Sequence, residues 1–327
     1  MLRLIPTRRH VLGALGAWAI APYAHAQAYP VRPIRIVCAH APGGAADQLS
    51  RIVADRMAGL LGQPVVVENR PGASTMIAAE HVAAAPADGY TLLMATVTTL
   101  SINPTIQRKI RYSPLKDFAP VSIVASTPFF LGVGNDVPAR TSAEVIALAK
   151  SMPGKLNYGS SGEGTSSHLA GELFNMMAGI QTVHVPYKAT SARNNDLASG
   201  IIQMVFGNDV MALAKSGRVR VLGVTSSQRL SGYPEIPTVA EAANLPNYEA
   251  SVWYGLVAPA GTPAPIVATI QQAVAAILGQ PEVKKQIMSS VGGEAVGSTP
   301  EAFARTIQAD LVKWEKVIRQ ANVRTES

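Results

Sequence analysis

Cysteine is almost absent: Cys38 is the single one in 327 residues, so no internal disulfide can form. It falls inside an apolar run, residues 34–39, and is expected to serve as a small buried hydrophobe. Charge is scarce as well. Asp, Glu, Lys and Arg make up 15% of the chain against 48% hydrophobic residues, which excludes a disordered polymer and fits a packed one. Aromatics are few, at 6%, whereas 27 Gly and 23 Pro provide many turns. The net charge of +7 is spread along the chain. No basic cluster is interleaved with aromatics, so nucleic acid is not an expected partner.

Signatures of common catalysis are also missing. There is no GxSxG, no HExxH, no phosphate-binding GxxxxGK loop, and no GxGxxG between a strand and a helix. Beyond the leader described next, the histidines are His40, His81, His168 and His184, and none pairs at metal-ligand spacing. No metal, cofactor or enzymatic activity is expected. An exported hydrolase or isomerase using His168 with a serine of the 160–167 turn is the alternative, and Glu163 is the only nearby acid that could orient that histidine.

The start reads as an export signal occupying residues 1–26. Arg8-Arg9 precede an apolar run, residues 11–20, too short to span a membrane. Ala24-His25-Ala26 offer small residues for cleavage after Ala26. The twin arginine suggests export of a folded protein, and a periplasmic location is expected.

Strand and helix patterns then alternate. Residues 34–39 read as a buried strand and 46–61 as a helix with Leu49, Ile52, Val53, Met57 and Leu60 at helical spacing. Residues 64–68, 74–85 and 90–95 complete a βαβαβ run, which implies a parallel sheet. Residues 103–120 look irregular, with Pro104, Pro114 and Pro120. Strands are expected at 121–125, 129–133, 183–185, 201–206, 219–225 and 251–258. Helices are expected at 142–151, with Ser142 as cap, at 209–215, and at 266–278, 281–289 and 300–321. The division is two α/β lobes, 27–125 plus 226–327 and 126–225, joined by two crossing strands.

Two stretches share one design. In 36–47, an apolar strand meets Pro42-Gly43-Gly44 and passes through Ala45 into a helix with Asp47 in its first turn. In 156–168, a short strand meets Gly159-Ser160-Ser161-Gly162-Glu163-Gly164-Thr165-Ser166-Ser167-His168 and again enters a helix. Unpaired amides and the positive end of the helix dipole at such turns favour a carboxylate or phosphate. Thr96 and Thr98 follow the third strand, at the strand ends where open α/β sheets bind ligands. A receptor for a small anion is built from such neutral donors. Three or four bonds to a charged group correspond to roughly micromolar affinity.

These residues resemble the substrate-binding proteins of tripartite tricarboxylate transporters, the Bug proteins. The resemblance covers about residues 29–323. It rests on Tyr29-Pro30-Val31-Arg32-Pro33-Ile34, on Pro42-Gly43-Gly44, on Gly62-Gln63-Pro64-Val65-Val66-Val67-Glu68-Asn69-Arg70-Pro71-Gly72 and on Asp88-Gly89-Tyr90-Thr91-Leu92. It continues through Pro114-Leu115-Lys116-Asp117-Phe118, Ser166-Ser167-His168-Leu169-Ala170-Gly171-Glu172, Val185-Pro186-Tyr187-Lys188 and Pro237-Thr238-Val239-Ala240-Glu241. It implies a type II, two-lobe periplasmic-binding-protein-like α/β fold with mainly parallel sheets. It also implies a monomer that closes on a small organic carboxylate held by the two glycine turns. The implied partner is a membrane permease of the tripartite type, or a sensor.

The ligand-contacting set expected on these grounds is Pro42, Gly43, Gly44, Ala45, Asp47, Thr96, Thr98, Ser160, Ser161, Gly162, Thr165, Ser166, Ser167, His168, Tyr187, Arg193 and Asn208. Departures from the family pattern include Ala39 and Ala41 where prolines are frequent, Ala189 for a glycine, Arg193 for an apolar residue, and Gly207 for an acid before Asn208. Gly207 cannot pair with an ammonium, and Arg193 offers a fork for a second carboxylate. A di- or tricarboxylate, or an aromatic carboxylate, is therefore expected over an amino acid.

Overall fold

A computed structural model describes residues 29–107 and 109–323. The expected export signal lies outside the described residues. Among the described residues no helix is long and apolar enough to cross a membrane.

The first part of the chain runs β1 (Ile34–Cys38), α1 (Ala45–Leu61), β2 (Val65–Asn69), α2 (Met76–Ala83), β3 (Thr91–Thr96), a π-helical turn (Thr98–Ile102), α3 (Asn103–Ile106) and β4 (Phe118–Pro128). Next come β5 (Phe130–Gly134), α4 (Ser142–Ser151), β6 (Asn157–Ser160), α5 (Ser166–Ala178), β7 (Val183–Pro186), α6 (Thr190–Ala198), β8 (Met204–Gly207), α7 (Val210–Lys215) and β9 (Val219–Val224). The chain returns through α8 (Val239–Ala243), β10 (Ser251–Pro259), α9 (Ala264–Gly279), α10 (Pro281–Val291), β11 (Glu294–Ala295) and α11 (Pro300–Gln320).

Two sheets result, ordered β11-β4-β10-β3-β1-β2 and β7-β6-β8-β5-β9. Each is mixed rather than mainly parallel. β1 pairs parallel with β2 and β3, and β6 with β7 and β8, as right-handed βαβ units require. The strands that pass between lobes run the other way: β10 lies antiparallel to β3 and β4, and β5 to β8 and β9. A chain that leaves a sheet along one strand and returns along its neighbour makes such a pair antiparallel.

Helix ends follow local chemistry. Gly62 closes α1 in the left-handed region (φ +67°), donating to Ala58 O. Thr165 caps α5 by accepting from the His168 amide, and Thr299 caps α11 by accepting from Ala302. The cap of α4 is Thr141, not Ser142; the Ser142 hydroxyl donates instead to Leu222 O on β9.

One face of the first sheet packs on α1, α9 and α10 through Ile34, Ile36, Leu49, Met57, Ile270 and Ile277. The other face belongs to a core that continues into the second lobe, joining Trp314 and Val317 of α11 to Phe174 of α5 and Phe206 of β8. The crossings meet at Thr225. Its amide donates to Phe129 O, its hydroxyl accepts from the Phe129 amide and donates to Ala250 O, and its carbonyl accepts from the Ala250 amide.

The return crossing lies later than residue 225. Leu230 and Ile236 belong to the apolar cluster of the second sheet, the Val224 amide donates to Pro237 O, and α8 packs on α4 and β9. Much of segment 226–250 packs on the second lobe, while Ser231 donates to Glu294 of β11 in the first.

Candidate functional site

A cleft of about 480 Å³ opens between the lobes. Its first-lobe wall is formed by Ala39 to Ala41 after β1, by Pro71, Gly72, Ser74 and Thr75 before α2, by Thr96 and Thr98 after β3, by Asn103 of α3, and by Val252 and Tyr254 of β10. The second lobe contributes Glu163, Gly164, Thr165 and Ser166 at the start of α5. The Thr98 and Ser166 hydroxyls face each other across the cleft at 3.5 Å. Thr98 opens the π-helical turn, a departure from regular helix that tends to occur at functional sites.

Hydroxyl, amide and imidazole groups stand among apolar surface in this lining, and among the described residues no Lys or Arg belongs to it. Glu163, exposed at the rim, is its one acid. Burial lowers the pKa of His40, so its ring is neutral at pH 7, and its Nδ1 is buried with no partner among the described residues. Hydroxyls, amides and a neutral imidazole are what the cleft offers an anion.

Of the residues expected from sequence, the cleft gathers Thr96, Thr98, Thr165 and Ser166. The rest lie elsewhere. Pro42, Gly43 and Gly44 are exposed beyond Ala41, and Ala45 starts α1; none lines the cavity. The Gly43 amide is already taken. Asp47 Oδ2 accepts from it at 2.9 Å, while the same carboxylate accepts from Asn69 Nδ2 at 2.8 Å and pairs with Arg51 at 3.0 Å. The Arg51 bonds, with those from Gly43 and Asn69, hold the Asp47 pKa down to about 2. Asp47 therefore caps its own turn, and its charge discourages a second anion on the same amides.

The second turn is internally bonded on its inner side. The Gly162 amide donates to Ser160 Oγ, Ser161 N to Ser167 Oγ, and Gly164 N to His168 Nδ1, each at 3.0–3.1 Å. Ser160, Ser167 and His168 are buried behind the turn. Accepting at Nδ1 leaves the His168 proton on Nε2, which lies 3.9 Å from Glu172. His168 stacks on His184 with ring centroids 3.6 Å apart and planes 5° from parallel, and His184 Nε2 is 2.6 Å from Ser160 Oγ. Desolvation lowers both rings, to about 3 for His168, with the neighbouring His184 contributing, and to about 4 for His184. Two stacked imidazoles must be neutral to share this site, and together they brace the turn whose outer hydroxyls reach the cleft.

Tyr187, Arg193 and Asn208 lie outside the cleft lining. Tyr187 donates to Asp196 Oδ2 at 2.7 Å. Arg193 is neither a ligand fork nor a solvated residue. It is 2% exposed, and its guanidinium pairs with Asp209 at 2.5 Å and bonds Asn194. A buried guanidinium needs such partners, and Asp209 supplies the opposite charge that a ligand carboxylate would otherwise bring. In the alternative of His168 with a serine of the 160–167 turn, the ring accepts from the Gly164 amide at Nδ1 and faces Glu172 at Nε2, and among the described residues no serine of the turn bonds it.

His40, Ser74, Thr75, Asn103 and Tyr254 line the cleft without having been expected from sequence. The turn at 69–72 carried the signal of a bend but none for its facing the ligand side. A larger cavity, about 700 Å³, lies against Ser126, Pro128, Ser251 and Trp253. Strand alternation puts Ser251 and Trp253 on the opposite face of β10 from Val252 and Tyr254, so this cavity is behind the crossing strands.

Two α/β lobes, two crossing strands and a polar cleft between them define a binding protein of the periplasmic two-lobe class. Residues 49–323 match the model of the tripartite tricarboxylate transporter family receptor, and the chain belongs to that family. Among relatives, it is 31% identical to the protein BugT of Bordetella pertussis over 318 residues, 96% of this chain and 97% of that one. Among solved structures, Rpa4515 of R. palustris with adipate is 35% identical with a TM-score of 0.73, over 90% of this chain and 99% of that one. MatC of Rhodopseudomonas palustris with bound malate is 30% identical with a TM-score of 0.69, over 89% and 100%. The family is one of binding proteins, not enzymes.

Proposed function

We propose that this chain is a periplasmic receptor that captures a small organic carboxylate between its lobes and delivers it to a membrane permease of the tripartite type. One observation carries the reading: hydroxyl, amide and imidazole groups from both lobes converge on the cleft. Such an array suits a small anion, because fixed neutral donors supply bonds of about 1.5–3 kcal/mol each to a charged acceptor. Relatives solved with adipate and with malate support the ligand class. Thr96 and Thr98 on one lobe and Ser166 on the other are the groups that would grip the carboxylate, with Thr165, whose hydroxyl donates to Gly162 O and caps α5, shaping the wall beside them.

Lobe closure about the Thr225 junction is the motion this function requires, a hinge change in two crossing strands. Export through the leader, with cleavage after Ala26, would deliver the mature chain to its compartment. Titration calorimetry with succinate, adipate and malate tests the reading. Micromolar binding of at least one, with the ligand recovered unchanged, is the expected result. No heat with any carboxylate, or turnover of the ligand, would overturn it.

A further inference from the structure

One stretch of the cleft wall departs from ordinary backbone. Ala73, Ser74 and Thr75 follow one another with φ of +44°, +49° and +80°. In this left-handed region Cβ crowds the backbone carbonyl, and glycine is the usual occupant. None of the three is glycine, and Thr75 is β-branched, which suits the region least. Such backbone persists only where its surroundings hold it, and it clusters where a ligand is met.

The holding groups are visible. Asn103 Nδ2 donates to Ser74 O at 2.6 Å and lies 3.4 Å from Thr75 Oγ1. Thr99 Oγ1 donates to Thr75 Oγ1 at 2.9 Å. The Thr75 hydroxyl is thus used in support. The Ser74 hydroxyl is not: among the described residues it has no hydrogen-bond partner, its side chain is exposed, and it lines the cleft. Ala73 adds no polar atom and does not line the cavity.

A hydroxyl both donates and accepts, so it matches a hydroxyl on a ligand. An ionised carboxylate only accepts, so it uses the donating half of this hydroxyl and leaves the accepting half unused. Resting on the carboxylate-receptor reading above, we infer that Ser74 is a specificity-determining residue that selects a hydroxyl-bearing carboxylate over the plain analogue of equal length and charge. Its strained backbone is the means of aiming that hydroxyl.

Malate and succinate differ by one hydroxyl and serve as probes. Calorimetry on the mature chain should give malate about tenfold tighter binding. In Ser74→Ala the preference disappears and the succinate affinity stays within about twofold, since only one neutral bond is removed. Ser74→Gly loses the preference too, and its Tm rises, because glycine relieves the backbone while alanine does not. Equal binding of both acids by the unaltered chain would overturn the inference and leave the receptor reading standing. A preference that survives in both variants would overturn it as well, because the strain would then serve the fold alone. Failure of succinate, adipate and malate alike to bind would remove the receptor reading first and this one with it.

Discussion

The two glycine turns look alike in sequence and end differently in structure. The first, at Gly43-Gly44, closes on itself, because Asp47 sits four residues on and its carboxylate accepts from the Gly43 amide. The second, at 160–166, is braced from behind by buried Ser160, Ser167 and His168 and by half-buried His184, and its outer residues Thr165 and Ser166 line the cleft. A glycine turn at a helix start is therefore no guarantee of a ligand site. What decides is whether the nearby side chains complete the turn from the cleft side or from behind it. An acid in the first turn of a helix is a good cap, and for the same reason a poor neighbour for an anion.

Acid should separate the turns most strongly. His168 and His184 are held neutral in the folded protein, at about 3 and about 4. Unfolded, each ring titrates near its ordinary 6.5, so the unfolded state binds more protons between that value and the folded ones. Their contribution is whole above pH 6.5, is lost progressively as pH falls toward 4, and changes no further below about 3. By pH 5 this costs about 2 kcal/mol per ring. Urea unfolding at pH 7.5 and pH 5 would measure the loss, and His184→Phe, which keeps a ring in the stack, should remove about half of it. A flat response would show that the second turn does not depend on these rings.

Removing the hydroxyls that project from the second turn comes next in size. Ser166→Ala should weaken the tightest carboxylate by at least tenfold, about 1.5–3 kcal/mol, if its hydroxyl gives one bond to a charged group. Thr165→Ala should instead lower stability by about 1 kcal/mol, because that hydroxyl caps α5 and donates to Gly162 O. Calorimetry beside thermal melting separates the two effects. Unchanged affinity would make the second turn as closed as the first.

Much of the architecture was legible and much of the site was not, for identifiable reasons. The βαβαβ run from β1 to β3 could be read because Ile34, Ile36, Leu49 and Met57 repeat at strand and helix periods and are all buried. Pro120 was read as a break, yet β4 runs through it, since the ladder with β10 shifts register between Leu256 and Val257, where Pro120 pairs. Short α8 and β11 carry too few residues for a period to register. Thr98 and Ser166, expected because hydroxyls cluster after a strand and before a helix, both line the cleft. Ser74 was missed because a left-handed turn built from Ala, Ser and Thr bears none of the glycine or asparagine that signals one. Arg193 was misread because its partner Asp209 is distant in sequence and faces it only in the fold.

The smallest expected effect is also the most direct trial of the contrast. Gly43 has φ +86°, and a Cβ built there meets nothing within 4 Å. Gly43→Ala should therefore cost only the conformational penalty, about 1 kcal/mol of stability. Its amide already serves Asp47, so the carboxylate Kd should not change. Gly162 has φ +123°, and a Cβ there would stand 3.7 Å from Thr165 Cγ2. Gly162→Ala strains the backbone beside a cleft-lining hydroxyl, and its Kd should rise even though the new methyl meets no clash. The pair is read by calorimetry at one pH with one ligand. Equal losses of affinity at the two positions would return the first turn to the site and cancel the distinction between a turn capped by its own acid and one left to receive another.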